Sequence, residues 1–210
     1  MEKHVYFVRH GESESNVDGI YRGEEAQLTE SGRTQARTVA ERIRRLGVEA
    51  VISSTFLRAH DTASAIGERL DLPVETVKLF GEWAEPTHIL GTHRDDPERE
   101  AERDAIFAAH HDPHYRHHDE ETFAELVARA EAALRALREH PASRICVVTH
   151  GGFLRILTGI IILGSDFTKK NFYRMLRHLL TTNTGITYVK LEDEARGWRM
   201  VTWNDQSHLG

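Results

Sequence analysis

Paired cysteines, a cationic surplus and long apolar runs are all missing from this chain of 210 residues, and each absence removes a class of explanation. With one cysteine, Cys146, no intramolecular disulfide can form, and its place inside an apolar run reads as a core thiol in a reducing compartment. The formal net charge of −6 argues against a broad nucleic-acid surface, because affinity for a phosphate backbone comes from clustered Lys and Arg. A local cationic pocket stays compatible with an acidic whole. The longest apolar stretch, 153–163, is interrupted by Arg155 and falls short of the ~20 residues a membrane span needs. The first strand follows Met1 almost at once and leaves no room for a leader segment, so the expectation is a soluble cytoplasmic protein. Neither Gly-x-Ser-x-Gly nor a P-loop occurs, so the signatures of serine hydrolases and P-loop nucleotidases are lacking.

What the chain does have is a unit that occurs twice. The apolar run Val5-Tyr6-Phe7-Val8 ends in Arg9-His10-Gly11, and Ile145-Cys146-Val147-Val148-Thr149 ends in His150-Gly151-Gly152. A buried strand delivers reactive groups to its C-terminal edge in this way, and open α/β sheets bind ligands at that edge. Gly11 leaves room for close approach to the main chain, and Gly151 and Gly152 stand where free N–H groups of a helix start can face an anion. Asn16 adds an amide a few residues after His10. A third run, Ala50-Val51-Ile52, leads to Ser53-Ser54 and Arg58, so another strand edge offers an arginine.

Between these units the periodicity predicts alternating strands and helices. Thr29 caps a helix to about residue 46; a strand at 48–52, a helix at 57–70 and a short strand at 74–77 follow. Thr122 with Glu125 forms a capping box for a helix to about 139. A helical piece from Ser165 to about Leu180 and strands at 185–191 and 197–203 complete the chain. This alternation implies a mostly parallel sheet covered on both faces. Segment 78–121 has weak periodicity and reads as a helical and loop insertion at the active-site edge of a single domain spanning 1–210.

These residues resemble the histidine phosphatase superfamily in its phosphoglycerate-mutase-like branch. The resemblance rests on Arg9-His10-Gly11, Asn16, Leu28-Thr29 with Gly32 and Gln35-Ala36, Ser53-Ser54 with Arg58-Ala59 and Thr62-Ala63, and His150-Gly151, in that order. The phytase-like branch reads Arg-His-Gly-x-Arg-x-Pro and a later His-Asp, where this chain has Glu12-Ser13-Glu14-Ser15 and His150-Gly151. A three-layer α/β/α sandwich is the implied fold.

The chemistry of phosphoryl transfer asks for an in-line nucleophile, cations around the equatorial oxygens and a proton for the leaving oxygen. His10 is the expected nucleophile, forming a covalent phosphohistidine. Arg9 and Arg58 are expected to clamp the phosphoryl oxygens. His150 would act as a further electrostatic donor if protonated, with Asn16 and the Gly11 and Gly151 amides completing the shell. By resemblance Glu82 is the general acid, with Glu85 the second choice; the family more commonly has a glycine three residues after that glutamate, where this chain has Glu85-Pro86.

The expected activity is hydrolysis of a small phosphorylated metabolite without metal or cofactor. Phosphoglycerate-mutase-type transfer is the rival reading, disfavoured because Ser15 precedes Asn16 and Ile20-Tyr21-Arg22-Gly23 follows, where mutases carry tryptophan and a Phe-Thr-Gly-Trp-like stretch. A non-catalytic module that binds a phosphorylated ligand is the third. No nucleic-acid or membrane partner is expected, and analogy suggests a homodimer. The histidines at 110, 111, 114, 117 and 118 read either as a pH-sensitive rim or as metal ligands, with Pro113 interrupting any helix that would align His114 and His118.

Overall fold

In the computed structural model, which describes residues 2–193 and 196–210, the apolar runs become six strands: β1 (Lys3–Arg9), β2 (Ala50–Ser53), β3 (Val74–Thr76), β4 (Arg144–Thr149), β5 (Ile186–Leu191) and β6 (Trp198–Asp205). They form one sheet in the order β3-β2-β4-β1-β5-β6. The first four strands pair in parallel, and β5 runs antiparallel to both β1 and β6. Helices α1 (Glu14–Val17), α2 (Glu30–Arg44), α3 (Leu57–Leu70), α4 (Pro97–Ala108), α5 (Phe123–Glu139), α6 (Gly151–Leu163) and α7 (Lys169–His178) complete the fold.

Successive strand residues point to opposite faces. Val5 and Phe7 of β1, with Ile145 and Val147 of β4, therefore enter one core, which α5 and α6 close with Leu126, Leu137, Leu154 and Leu157. Tyr6, Val8, Cys146 and Val148 enter the other, closed by Val39 and Ile43 of α2 and Ala63 and Ile66 of α3. Burial on both faces is why the central strands read as continuous apolar runs. Cys146 lies fully inside, and burial pushes its thiol above the ordinary range, as a core cysteine requires.

Local signals set the helix ends. The Thr29 hydroxyl accepts the Gly32 amide at 3.0 Å, and Thr122 exchanges hydrogen bonds with Glu125. Asp71 ends α3 in the left-handed region at φ 56°. The helix expected from Ser165 starts later. Gly164, at φ 54°, ends α6, a 3-10 turn covers 164–166, and Phe167 turns inward against Phe123 with ring centroids 5.5 Å apart. α7 then begins behind Thr168, whose hydroxyl accepts the Asn171 amide. In 78–121, weak periodicity hides α4, which buries only Arg99 and Ile106 and is started by Asp96 accepting from the Glu98 amide.

Register fixes where the reactive groups emerge. Arg9 stands opposite Thr149, and Ser53 opposite Val148. His10, His150 and Ser54 therefore leave the sheet side by side at its C-terminal edge. Among the described residues, no helix is long and apolar enough to cross a membrane.

Candidate active site

His10 is 3% exposed, and two contacts settle its tautomer. Its Nδ1 lies 2.7 Å from the Gly11 carbonyl oxygen, an acceptor, while Arg58 Nε donates to Nε2 at 3.1 Å. Because a guanidinium has only donors, Nε2 must carry the lone pair and Nδ1 the proton. Burial, then the charges of Arg58 and Arg9, hold the imidazole well below its usual 6.5, against a smaller opposing pull from Gly11. A neutral histidine whose unprotonated Nε2 is held by Arg58 is thus the resting state.

Three guanidinium groups line the same cavity as His10. Arg58 also donates to the Gly23 carbonyl at 2.7 Å, and burial lowers its pKa. Arg9 donates to the Thr181 carbonyl at 2.6 Å, its Nε is buried without a partner among the described residues, and burial brings its pKa down to about 10. Arg155, lowered by burial as well, donates to the Gly151 and Leu179 carbonyls. Glu82 lines the same cavity, and its charge opposes the lowering at all three.

Glu82 lies where the resemblance placed a general acid, and its surroundings explain how. Its carboxylate accepts the amides of Gly152 at 2.9 Å, Phe153 at 2.8 Å and Trp83 at 3.0 Å. The amide of Gly152, expected to face an external anion, therefore serves an internal one. A Cβ at residue 152 would sit 2.6 Å from Glu82 Oε1, so glycine makes room for the carboxylate. The preceding loop is held by Arg129, which donates to the carbonyls of Leu79 and Gly81 at 2.9 Å and pairs with Glu121 at 2.7 Å. Glu85 turns instead to Arg99 at 2.6 Å, and burial raises its pKa.

His150 is fully buried, 5.2 Å from His10 between ring centroids, with Nε2 2.8 Å from the Ser54 hydroxyl. Its Nδ1 has no partner among the described residues. Burial, then Arg58, His10 and Arg9, holds it well below 6.5, so without a ligand it is neutral, and the protonated donor is an expectation for the state with a dianion bound. Asn16 Oδ1 accepts from the Ser13 amide at 3.2 Å and from Asn183 at 3.0 Å, which leaves the Asn16 NH2 as a donor at the cavity wall. Gly151 also lines the cavity.

Gly11 departs from expectation. Its amide donates to Thr62 Oγ1 at 3.0 Å, and its missing side chain makes room for α2 rather than for a ligand: a Cβ would meet the Gly32 carbonyl at 2.6 Å. Other participants went unrecognised in the sequence. Asn183 donates to the His10 carbonyl at 3.0 Å as well as to Asn16, and the buried hydroxyls of Ser13 and Ser15 line the cavity without partners. Arg155 had a visible signal, a cation five residues after His150 in an otherwise apolar stretch.

The cavity, about 680 Å3, is closed outward by α4 and α7 through Glu100, Arg103, Asp104, Phe107, Tyr173 and Arg177. None of the histidines from 110 to 118 lines it, so the expected histidine rim belongs elsewhere.

Comparisons with known proteins bear on this arrangement. A profile of the histidine phosphatase superfamily (branch 1) matches residues 5–206. The chain is 31% identical to a metal-independent phosphoserine phosphatase of Arabidopsis thaliana, covering 98% of this chain and 82% of that protein. It is also 31% identical to a probable phosphoglycerate mutase, GpmB, of Klebsiella pneumoniae, over 98% and 94%. Among solved structures, a mycobacterial glucosyl-3-phosphoglycerate phosphatase bound to VO3 superposes with a TM-score of 0.77 at 24% identity, over 96% of this chain and 98% of that one, a likeness of fold.

Proposed function

This chain belongs to branch 1 of the histidine phosphatase superfamily, and from that premise we propose that it is a metal-independent phosphomonoesterase acting on a small phosphorylated metabolite through a covalent phosphohistidine on His10. One observation carries the reading: a neutral imidazole whose Nε2 bears a lone pair, held by Arg58 until an arriving anion draws that guanidinium to itself, in a cavity that Arg9, Arg155 and Glu82 also line. Glu82 lies on the same wall.

In this reading Nε2 attacks phosphorus as the ester P–O bond breaks, and Glu82, in its protonated form, gives its proton to the departing alkoxide. Water then attacks the phosphohistidine, Glu82 takes a proton back, and the P–N bond breaks to release phosphate. Arg9 and Arg58 spread the charge of the equatorial oxygens, with Asn16 and the Gly151 amide as neutral donors. His150 faces the same charge, and an arriving dianion favours its protonation. Gly11 contributes through its carbonyl, which orients His10, rather than through its amide.

The relatives named as probable mutases support a second reading, in which the same phosphohistidine returns its phosphoryl group to another hydroxyl of the substrate. One assay separates them: phosphate release from an aryl phosphate in excess EDTA, for wild type and His10→Ala, from mildly acidic to neutral pH. The expected result is turnover lost in the variant. Because the free imidazole lies well below 6.5 and only the neutral form attacks, kcat/KM should hold through 6.5 and fall only at lower pH. Isomerisation of 3-phosphoglycerate without phosphate release would favour the mutase reading. Activity surviving in His10→Ala would remove the nucleophile assignment.

A further inference from the structure

The histidine-rich segment finds a different use. His118 Nε2 lies 2.8 Å from Glu102 Oε1, and His88 Nε2 lies 2.8 Å from the same oxygen. The three ligand atoms all fall within 4.8 Å of one another. They come from three separate pieces of the insertion: the 3-10 turn at 87–89, helix α4 and the loop that follows α4. We propose that His88, Glu102 and His118 form a binding site for a divalent cation of the zinc class, fastening α4 to the two segments beside it.

Two imidazoles and a carboxylate are a donor set that suits zinc and its borderline neighbours, with a fourth position left to water. Tetrahedral coordination at ~2.1 Å separates ligand atoms by about 3.3 Å, so each atom here needs to move by less than about 1 Å. A metal would also change the bonding at Glu102. Its Oε1 now stands against two imidazole Nε2 atoms, and a cation would bind both nitrogens in their unprotonated form. The Glu102 side chain is only 10% exposed, so the carboxylate is already held in place.

The backbone around the ligands is organised independently of them. The Asp119 carboxylate accepts the Thr87 amide at 2.9 Å and its hydroxyl at 2.6 Å, tying the residue before His88 to the residue after His118. Glu120, 1% exposed, accepts the amides of His117 at 2.6 Å and His118 at 2.8 Å. Support of this kind around the ligands is what a metal site needs. None of the three ligands lines the His10 cavity, but α4, which carries Glu102, supplies four of its lining residues. The site therefore lies outside the reacting centre and steadies one of its walls.

The test is zinc binding itself. The chain, freed of metal with EDTA, is titrated with ZnCl2 by calorimetry and with CoCl2 by visible absorption at neutral pH. One equivalent of zinc per chain and the d–d bands of four-coordinate cobalt are expected. Kd should rise at least tenfold in Glu102→Gln and in His88→Ala/His118→Ala, and stay put in His114→Ala and His10→Ala. Both ligand histidines are exposed, so their variants should keep the fold if the carboxylate variant does not. Absence of a saturable equivalent, or binding that survives loss of both His88 and His118, would overturn the site, and neither outcome touches the His10 chemistry.

Discussion

The inner cavity and its outer wall differ in what holds them. Inner groups stand on three hydrogen-bonded parallel strands: Arg9 ends β1 and His10 follows it, His150 follows β4, and Arg58 lies in the first turn of the helix after β2. His10, Arg58 and His150 are buried, and the polar contacts of the four run to backbone carbonyls, to the Ser54 hydroxyl and between Arg58 and the His10 ring. The outer wall is α4 and α7. Of these, α4 buries only Arg99 and Ile106 and is held by side-chain pairs such as Arg99 with Glu85. The difference teaches that position at the reacting atom comes from sheet register, whereas the mouth depends on charge pairs that can be exchanged without disturbing the core.

That contrast makes graded predictions. The largest change among the supporting groups is expected at Glu82. Glu82→Gln keeps the shape and the oxygen acceptor but has no acidic proton, so kcat for an alkyl phosphate should fall by ~10^2–10^4, the usual range for general acid–base catalysis. The loss should shrink for a nitrophenyl ester, whose leaving group needs no proton. Equal losses for both esters would show that Glu82 is only a cap on α6.

Arg58→Ala comes next. It removes both a phosphoryl clamp and the donor to His10 Nε2, and kcat/KM should drop by ~10^2–10^3, as for other preorganised donors. Asn183→Ala tests a residue that acts through others, since its amide holds the His10 carbonyl and Asn16. About a tenfold fall in kcat with little change in KM is expected, on the scale of ~1 kcal/mol for a lost hydrogen bond. Asn183→Asp, which keeps an acceptor but not the donor, should not restore it.

Arg103→Ala closes the series. The residue is exposed on the outer wall, donates to the Arg94 carbonyl at 3.1 Å, and should alter KM by only about two- to threefold, in keeping with solvent-exposed charges. A loss in kcat as large as that of Arg58→Ala would erase the distinction between floor and wall.

The same divide governs how much was legible in the sequence. The strands and covering helices could be read because burial on both faces leaves uninterrupted apolar runs, and because caps such as Thr29 and Thr122 are local. His10, Arg9, Arg58 and His150 could be placed for the same reason, each following a strand that announces itself. Asn183 could not, since it reaches His10 from a turn before β5 that is distant in the chain. Nor could the use of Gly152, whose meaning depends on a carboxylate seventy residues away. Helix α4 was missed because it has almost no buried face, although Asp96-Pro97 was a legible start signal. Gly11 shows the opposite error: a glycine beside a reactive group invites a ligand, but here it admits α2.

The most direct measurement of the central claim is to mix enzyme with a phosphomonoester, quench rapidly in alkali, where phosphohistidine persists, and map the modified peptide by mass spectrometry. The account predicts a phosphoryl group on the imidazole of His10, forming at or above the rate of turnover and absent from His10→Ala. Turnover with no such adduct, or an adduct on another residue, would contradict it.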